Sequence, residues 1–144
     1  MTMATLVYNS AKTDIANGDI VFDTDTFYAL LVTDTYTPDR DSHNRRDDVT
    51  NEVANGNGYT TGGAALTSVT VTQDNTNDRV VIDAADLTWS SSTITARGCV
   101  IYKRRGGASS ADELVCAITF GSDYASSAGN FTIQWPAAGF LTLS

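Results

Sequence analysis

The stretch VTVTQDNTNDRVVIDAADLTW, residues 69–89, decides the fold. Valine alternates with threonine up to a polar knot, DNTND, and the chain returns through Val80, Val81 and Ile82. Alternation of period two is the mark of a half-buried strand, and Asx-rich knots between two such runs are turns. With a four-residue loop over Asp74 to Asn77, Val71 stands opposite Val80 and Val69 opposite Ile82. Thr70, Thr72, Val81 and Asp83 then share the other face. A slip of one residue would carry Asp83 to the apolar face, at a cost of roughly several kcal/mol. DNTND therefore reads as a hairpin turn and not as a site of chemistry.

The rest of the chain repeats this pattern. Short runs rich in Val, Ile, Thr and aromatic residues alternate with Gly, Asn, Asp and Ser clusters, the pattern of an all-β sandwich or barrel. The runs are TLVYN (5–9), FYALLVT (27–33), LTSVTVTQ (66–73), DRVVIDA (78–84) continuing through DLTW (86–89), STITARGCVIYKR (92–104), ELVCAITF (113–120), GNFTIQW (129–135) and GFLTLS (139–144). FYALLVT is apolar almost throughout, so it should be buried on both faces or lie under a partner. Gly98 marks a bulge or bend in its long strand. Ser10 can cap a short helix over 11–17 that Gly18 ends in a left-handed conformation, with Ile15 as its anchor. The expectation is one domain over 1–144: an antiparallel, jelly-roll-like β-sandwich of about eight strands with one or two short helices.

Composition narrows the function. The 144 residues carry a formal net charge of −8, which repels a phosphate backbone and argues against nucleic acid as a partner. No run approaches the roughly 20 apolar residues of a membrane helix. The opening MTMATLVYNSAK has no basic segment followed by an apolar one, so the expectation is folding in a cytosol. Cys99 and Cys116 lie in neighbouring strands of one hairpin. Buried free thiols are the simpler expectation and a disulfide the alternative. Lys103, Arg104 and Arg105, just before two glycines, read as a solvated strand tip.

No motif of nucleotide binding, zinc hydrolysis, redox dithiol or serine nucleophile chemistry occurs, and no catalytic, metal or cofactor residue is assigned. The lone histidine, His43, lies in a polar loop and reads as exposed. Asp39, Asp41, Asp47 and Asp48 could offer oxygen ligands to calcium, but Arg40, Arg45 and Arg46 sit among them and the EF-hand glycine is missing. Trp89 and Trp135, at strand ends, read as core more readily than as sugar platforms. The most polar stretch, DTYTPDRDSHNRRDD (34–48), is a long loop with one helical turn expected near 45–49. Long loops on rigid scaffolds carry function. Its residues Tyr36, Pro38, Asp39, Arg40, Asp41, His43, Arg45 and Arg46 are the candidate partner contacts.

The segments GYTTGGAALTSVTVTQDNTNDRVVIDAADLTWSSSTITARGCVIYKR and GNFTIQWPAAGFLTLS, with the opening TLVYNSAKTDIANGDI, resemble a group of small structural proteins of tailed bacteriophages and prophages. The resemblance implies a virion component, β-rich and multimeric, assembled in the cytoplasm of a bacterial host. It implies no active residue. The expectation is a capsid decoration protein, a homo-oligomer with a trimer favoured, whose partner is the major capsid protein or another virion protein. A tail, neck or fibre part is the alternative, and a carbohydrate-binding module the alternative of another class.

Overall fold

In the computed structural model, which describes residues 1–144, the apolar runs become neighbours in one antiparallel sheet. Its order is β1 (Ala4–Val7), β8 (Leu114–Ala125), β7 (Thr95–Lys103), β2 (Phe27–Val32) and β3 (Ala64–Ala65). A three-stranded sheet follows the order β10 (Leu141–Leu143), β5 (Arg79–Asp83), β4 (Thr70–Asp74). β6 (Leu87–Ser92) pairs with β9 (Gly129–Ile133). The ten strands exceed the eight expected, because β3 is only two residues long and DLTW is a strand of its own. All the pairings are antiparallel, so the all-β expectation holds.

The central strands are buried on both faces because both of their faces are apolar. The pairs Ala29–Ile101, Ile101–Cys116 and Cys116–Val7 line one face. Leu30–Val100, Val100–Ala117 and Ala117–Leu6 line the other. Each fully buried Leu or Ile among them contributes roughly 1.5–3 kcal/mol. The smaller sheets meet the first face: Phe120 of β8 lies 6.4 Å from Phe131 of β9, ring centre to ring centre, and Thr5 Oγ1 donates to the Phe140 carbonyl. The excursion between β2 and β3 meets the second, where the Arg46 guanidinium lies 5.1 Å from the centre of the Tyr102 ring. All 31 buried apolar residues form one continuous cluster.

Two glycines are required by close approach. Gly98 sits at a register break of β7, where an added Cβ would overlap the Ile118 carbonyl oxygen. Gly63 combines φ +82° with a backbone packed on β2, where a Cβ would overlap the Ala29 carbonyl.

Several local expectations are corrected. Helix α1 runs Asn9–Asn17 with Tyr8, not Ser10, at its N-cap. No side chain caps it, because tertiary partners do so instead. Tyr8 is wholly buried and its N–H donates to Val115 O, while Asn9 N–H donates to Arg40 O. Gly18 does end the helix, at φ +80°. The hairpin around DNTND pairs two residues along from the expected register, with Val71 opposite Ile82 and Asp74 opposite Arg79. The loop is therefore 75–78, and Asp78 takes the left-handed turn at φ +53°. The closing pair explains the choice: Asp74 Oδ2 accepts from Arg79 Nε at 2.9 Å and from Asn77 Nδ2 at 2.9 Å. A shift of two keeps every side chain on its face, so Val69, Val71, Val80 and Ile82 still share one. Only Ile82 is fully buried, and Val71 is 50% exposed.

DLTW does not continue β5. Ala85 N–H donates to Thr67 O and Ala85 O accepts from Trp135 Nε1, which captures the backbone and turns it away toward β9. Cys99 and Cys116 are free and buried, opposite Ile118 and Ile101 and not opposite one another.

Gly63→Ala should destabilise the protein by about 3 kcal/mol or more, since it adds a backbone overlap to a left-handed conformation. Urea denaturation of the two proteins measures the difference.

Candidate functional site

The loop 34–48 lies on the second face of the five-stranded sheet and is pinned from beneath. Tyr36 is buried, and its hydroxyl sits 2.8 Å from the Tyr8 hydroxyl and 3.0 Å from His43 Nδ1. Asp39 N–H also donates to that nitrogen, at 3.2 Å, so Nδ1 is an acceptor and Tyr36 O–H the donor to it. Tyr8 in turn donates to Tyr36. Burial and this bond push the Tyr8 hydroxyl far above the usual phenol range, so it stays a proton donor. His43 is thus half-buried and structural, not the exposed residue expected. Its ring lies nearly parallel to that of Tyr36, at 5.8 Å.

The acids of the loop act as turn caps. Asp39 Oδ1 accepts the N–H groups of Asp41 (2.9 Å) and Ser42 (3.1 Å). Asp48 Oδ2 accepts those of Asn44 (2.8 Å) and Arg45 (3.1 Å), opening a single 3-10 turn over Arg46–Asp48. Bonds from the Ser42 side chain and the Asp41 and Ser42 amides hold the Asp39 carboxyl below the ordinary range. The Asn44 and Arg45 amides outweigh burial and do the same for Asp48. No three acidic, histidine or cysteine side chains converge on one point here or elsewhere.

Arg45 reaches Asn44 O at 3.0 Å and lies 3.9 Å from Asp14 of α1. Arg46 pairs with Asp112 at 2.8 Å, and that carboxylate is wholly buried. The other Asp112 oxygen accepts Arg105 N–H at 2.9 Å, so the buried charge is fully matched. Tyr102, beneath Arg46, has its hydroxyl pushed up to about 12 by burial.

Of the candidate contact residues, Tyr36, His43 and Arg46 therefore turn inward, and Pro38 and Arg45 are half-buried. Asp39, Arg40 and Asp41 are exposed and form the outer tip. Asp41 Oδ1 also accepts Asn9 Nδ2 at 2.8 Å, which ties the tip to the helix start.

The basic cluster ends β7 as expected, with Arg104 and Arg105 exposed, but its charges have partners. Lys103 Nζ pairs with Asp25 at 3.0 Å and donates to Asp19 O at 2.7 Å. Arg104 covers the Tyr28 ring at 4.4 Å. Arg105 makes a two-pronged pair with the buried Glu113, at 2.8 and 2.6 Å. Burial alone would raise the Glu113 carboxyl, but Arg105 reverses this and holds it low. The signal lay in the sequence: Asp112 and Glu113 face the arginines across the hairpin RGGASSAD.

A second clamp holds the following segment. Tyr59 O–H donates to Glu52 Oε2 at 2.6 Å and accepts Leu31 N–H at 3.0 Å. Gly62 N–H donates to the same carboxylate oxygen at 2.7 Å. Both tryptophans are buried. Trp89 meets Phe131 edge-on, and Trp135 packs against Phe140.

Beside the pinned loop lies an open groove of about 400 Å³. Leu6, Val32, Ala117 and the bare Gly98 make its floor, with Tyr36, Pro38 and Arg97 on its walls. Arg97 is occupied by Asp123 at 2.8 Å. Cys99 lies under the floor, and burial pushes its thiol well above the ordinary range, which leaves it a poor nucleophile.

Fold and surface together define an antiparallel all-β protein with one clamped, charged loop. Comparison with protein-family models, curated proteins and solved structures returns no match for this chain.

Two measurements test the clamp. Tyr36→Phe should cost about 1–3 kcal/mol in thermal or chemical unfolding, because Tyr8 O–H loses its buried acceptor. The acid limb of stability follows from Asp39, Asp48 and Glu113. Their carboxyls are held low in the folded state, so the unfolded chain takes up protons first as pH falls. Their contribution should be full above the ordinary carboxylate values of about 4 and should drain away below them. A melting-temperature series from neutral pH downward reads this, with Asp48→Asn flattening the acid limb.

Proposed function

We propose that this protein is a structural, non-catalytic component of a bacteriophage virion. The best-supported form is a capsid decoration protein that binds across neighbouring capsomers. The observation that carries the reading is the clamped loop. Tyr36 and Arg46 are taken up by Tyr8 and Asp112, while Asp39, Arg40 and Asp41 stay exposed with charges of both signs. A loop already held in one conformation loses little entropy on docking, so a rigid β scaffold with such a tip suits permanent assembly. Mixed charges at the tip favour registration on a polar protein surface. The resemblance of the strand segments and the opening to small phage structural proteins supports the same reading.

In this reading the three sheets are the layers of a jelly-roll-like β-sandwich, the five-stranded sheet opposite the two smaller ones. The partner is the major capsid protein or another virion protein, and the protein adds stability to the head by mass action. Its assembled state is a homo-oligomer, a trimer in the simplest arrangement around a capsomer junction. Trp89 and Trp135 are buried, so neither offers the exposed ring on which a sugar would stack.

Quantitative mass spectrometry of purified particles tests the proposal. A decoration protein should approach the major capsid protein in copy number. A far smaller number would move it to the tail or neck, and absence from the particles would end the proposal. Reversal of the tip cation, Arg40→Glu, should weaken binding to undecorated heads by about tenfold with the melting temperature unchanged.

A further inference from the structure

β4 is an edge strand with an open side. It pairs only with β5, and its first four residues, Thr70 to Gln73, are exposed. Val71 is the most exposed of the large apolar residues, at 50%. Edge strands are normally blunted by a charge, a proline, a bulge or extreme shortness. β4 has none of these from Thr70 to Gln73, and its register against β5 is unbroken. Most of the other edges are short or broken. β3 and β10 are two and three residues long, and the β6–β9 pair has a register break. β1, the outer strand of the five-stranded sheet, is four residues long and lacks the exposed large apolar residue that β4 carries.

The direction of the free backbone groups follows from the ladder. Ile82 gives its carbonyl to Phe140 N–H at 3.0 Å, on the side away from β4. The 71–82 pair is therefore one that exchanges no backbone hydrogen bonds. The N–H and C=O of Val71 point outward, and by alternation so do those of Gln73. These groups call for an extended backbone beside them.

We propose that the outer edge of β4 pairs antiparallel with β4 of a second copy of this chain. With the two-fold axis at Thr72, Val71 faces Gln73 of the second copy and the two residues exchange both N–H···O bonds. Thr72 faces Thr72 of the second copy. The strand is self-complementary in charge as well. It is uncharged from Thr70 to Gln73 in a chain of net charge −8, and Asp74 at its end is neutralised by Arg79 at 2.9 Å. The two copies thus meet along a neutral line in an otherwise acidic surface. Their remaining charges repel, so the contact strengthens as salt rises. Antiparallel self-pairing closes after two copies, which makes this a two-fold contact whatever symmetry orders the rest of an assembly. It is a property of the chain alone and does not rest on the virion reading.

Sedimentation equilibrium across concentration and salt, with amide hydrogen exchange, tests it on the purified chain. The wild type should dimerise as concentration and salt rise, and the Val71 and Gln73 amides should become protected in step. Val71→Pro removes an outward N–H that β5 does not use, and Val71→Lys places a charge on the edge. Each should weaken association by about tenfold or more. Val71→Lys, which leaves the backbone free, should keep the melting temperature of the monomer, and Thr88→Lys on the exposed side of β6 should change neither. A wild type that stays monomeric throughout overturns the proposal. So does a dimer that survives Val71→Lys, a dimer without protection at Val71 and Gln73, or protection that arises only with a different protein.

Discussion

Burial of β2, β7 and β8 on both faces is the constraint on which the rest of this structure depends. A sheet with two apolar faces cannot stand in water, so every other element is placed by the need to cover one face or the other. The β6–β9 pair and the β10–β5–β4 sheet meet one side, through contacts such as Phe120 with Phe131. The long excursion between β2 and β3 meets the other. That second cover has little regular structure, so its backbone and charges have to be satisfied one by one.

The polar clamps do this. Tyr8, Tyr36 and His43 form a hydrogen-bonded line from the core to the loop. Arg46 matches a wholly buried Asp112, and Glu52 gathers Tyr59 and Gly62 against β2. A buried carboxylate without its partner is strongly destabilising, so each pair also selects one position for the loop it holds. The exposed tip at Asp39 to Asp41 inherits this order although its own side chains touch little of the core. A loop that is irregular in path can therefore be fixed in place, the property that a docking surface requires.

Much of this was legible in the residues. Doubly apolar FYALLVT did become a doubly buried strand, the bulge came at Gly98, and Gly18 closed the helix. DNTND is a turn, and the alternation around it assigned every side chain to its correct face. Most of the misreadings come from partners that the local pattern does not reveal. Ser10 is the better cap by type, but Val115 and Arg40 supply the carbonyls that receive the Tyr8 and Asn9 N–H groups. Lys103 reads as solvated until Asp25 arrives beside it, whereas Arg104 and Arg105 stay exposed while meeting Tyr28 and Glu113. His43 reads as exposed until Tyr36 folds under it. In the contact loop Tyr36 and Arg46 are used by the core and not by a partner.

Local alternation and composition by themselves determined the class of fold, the strands, the turns and the faces, because period-two burial and glycine conformations are properties of neighbouring residues. The alternation left the hairpin register open within a step of two. Both registers keep the same faces, and the Asp74–Arg79 pair breaks the tie. Tertiary structure alone decided that β6 leaves β5 for β9 and that Val71 lies on an open edge and not in the core. Those outcomes depend on which groups meet across the whole chain, and nearest-neighbour pattern carries no record of such meetings.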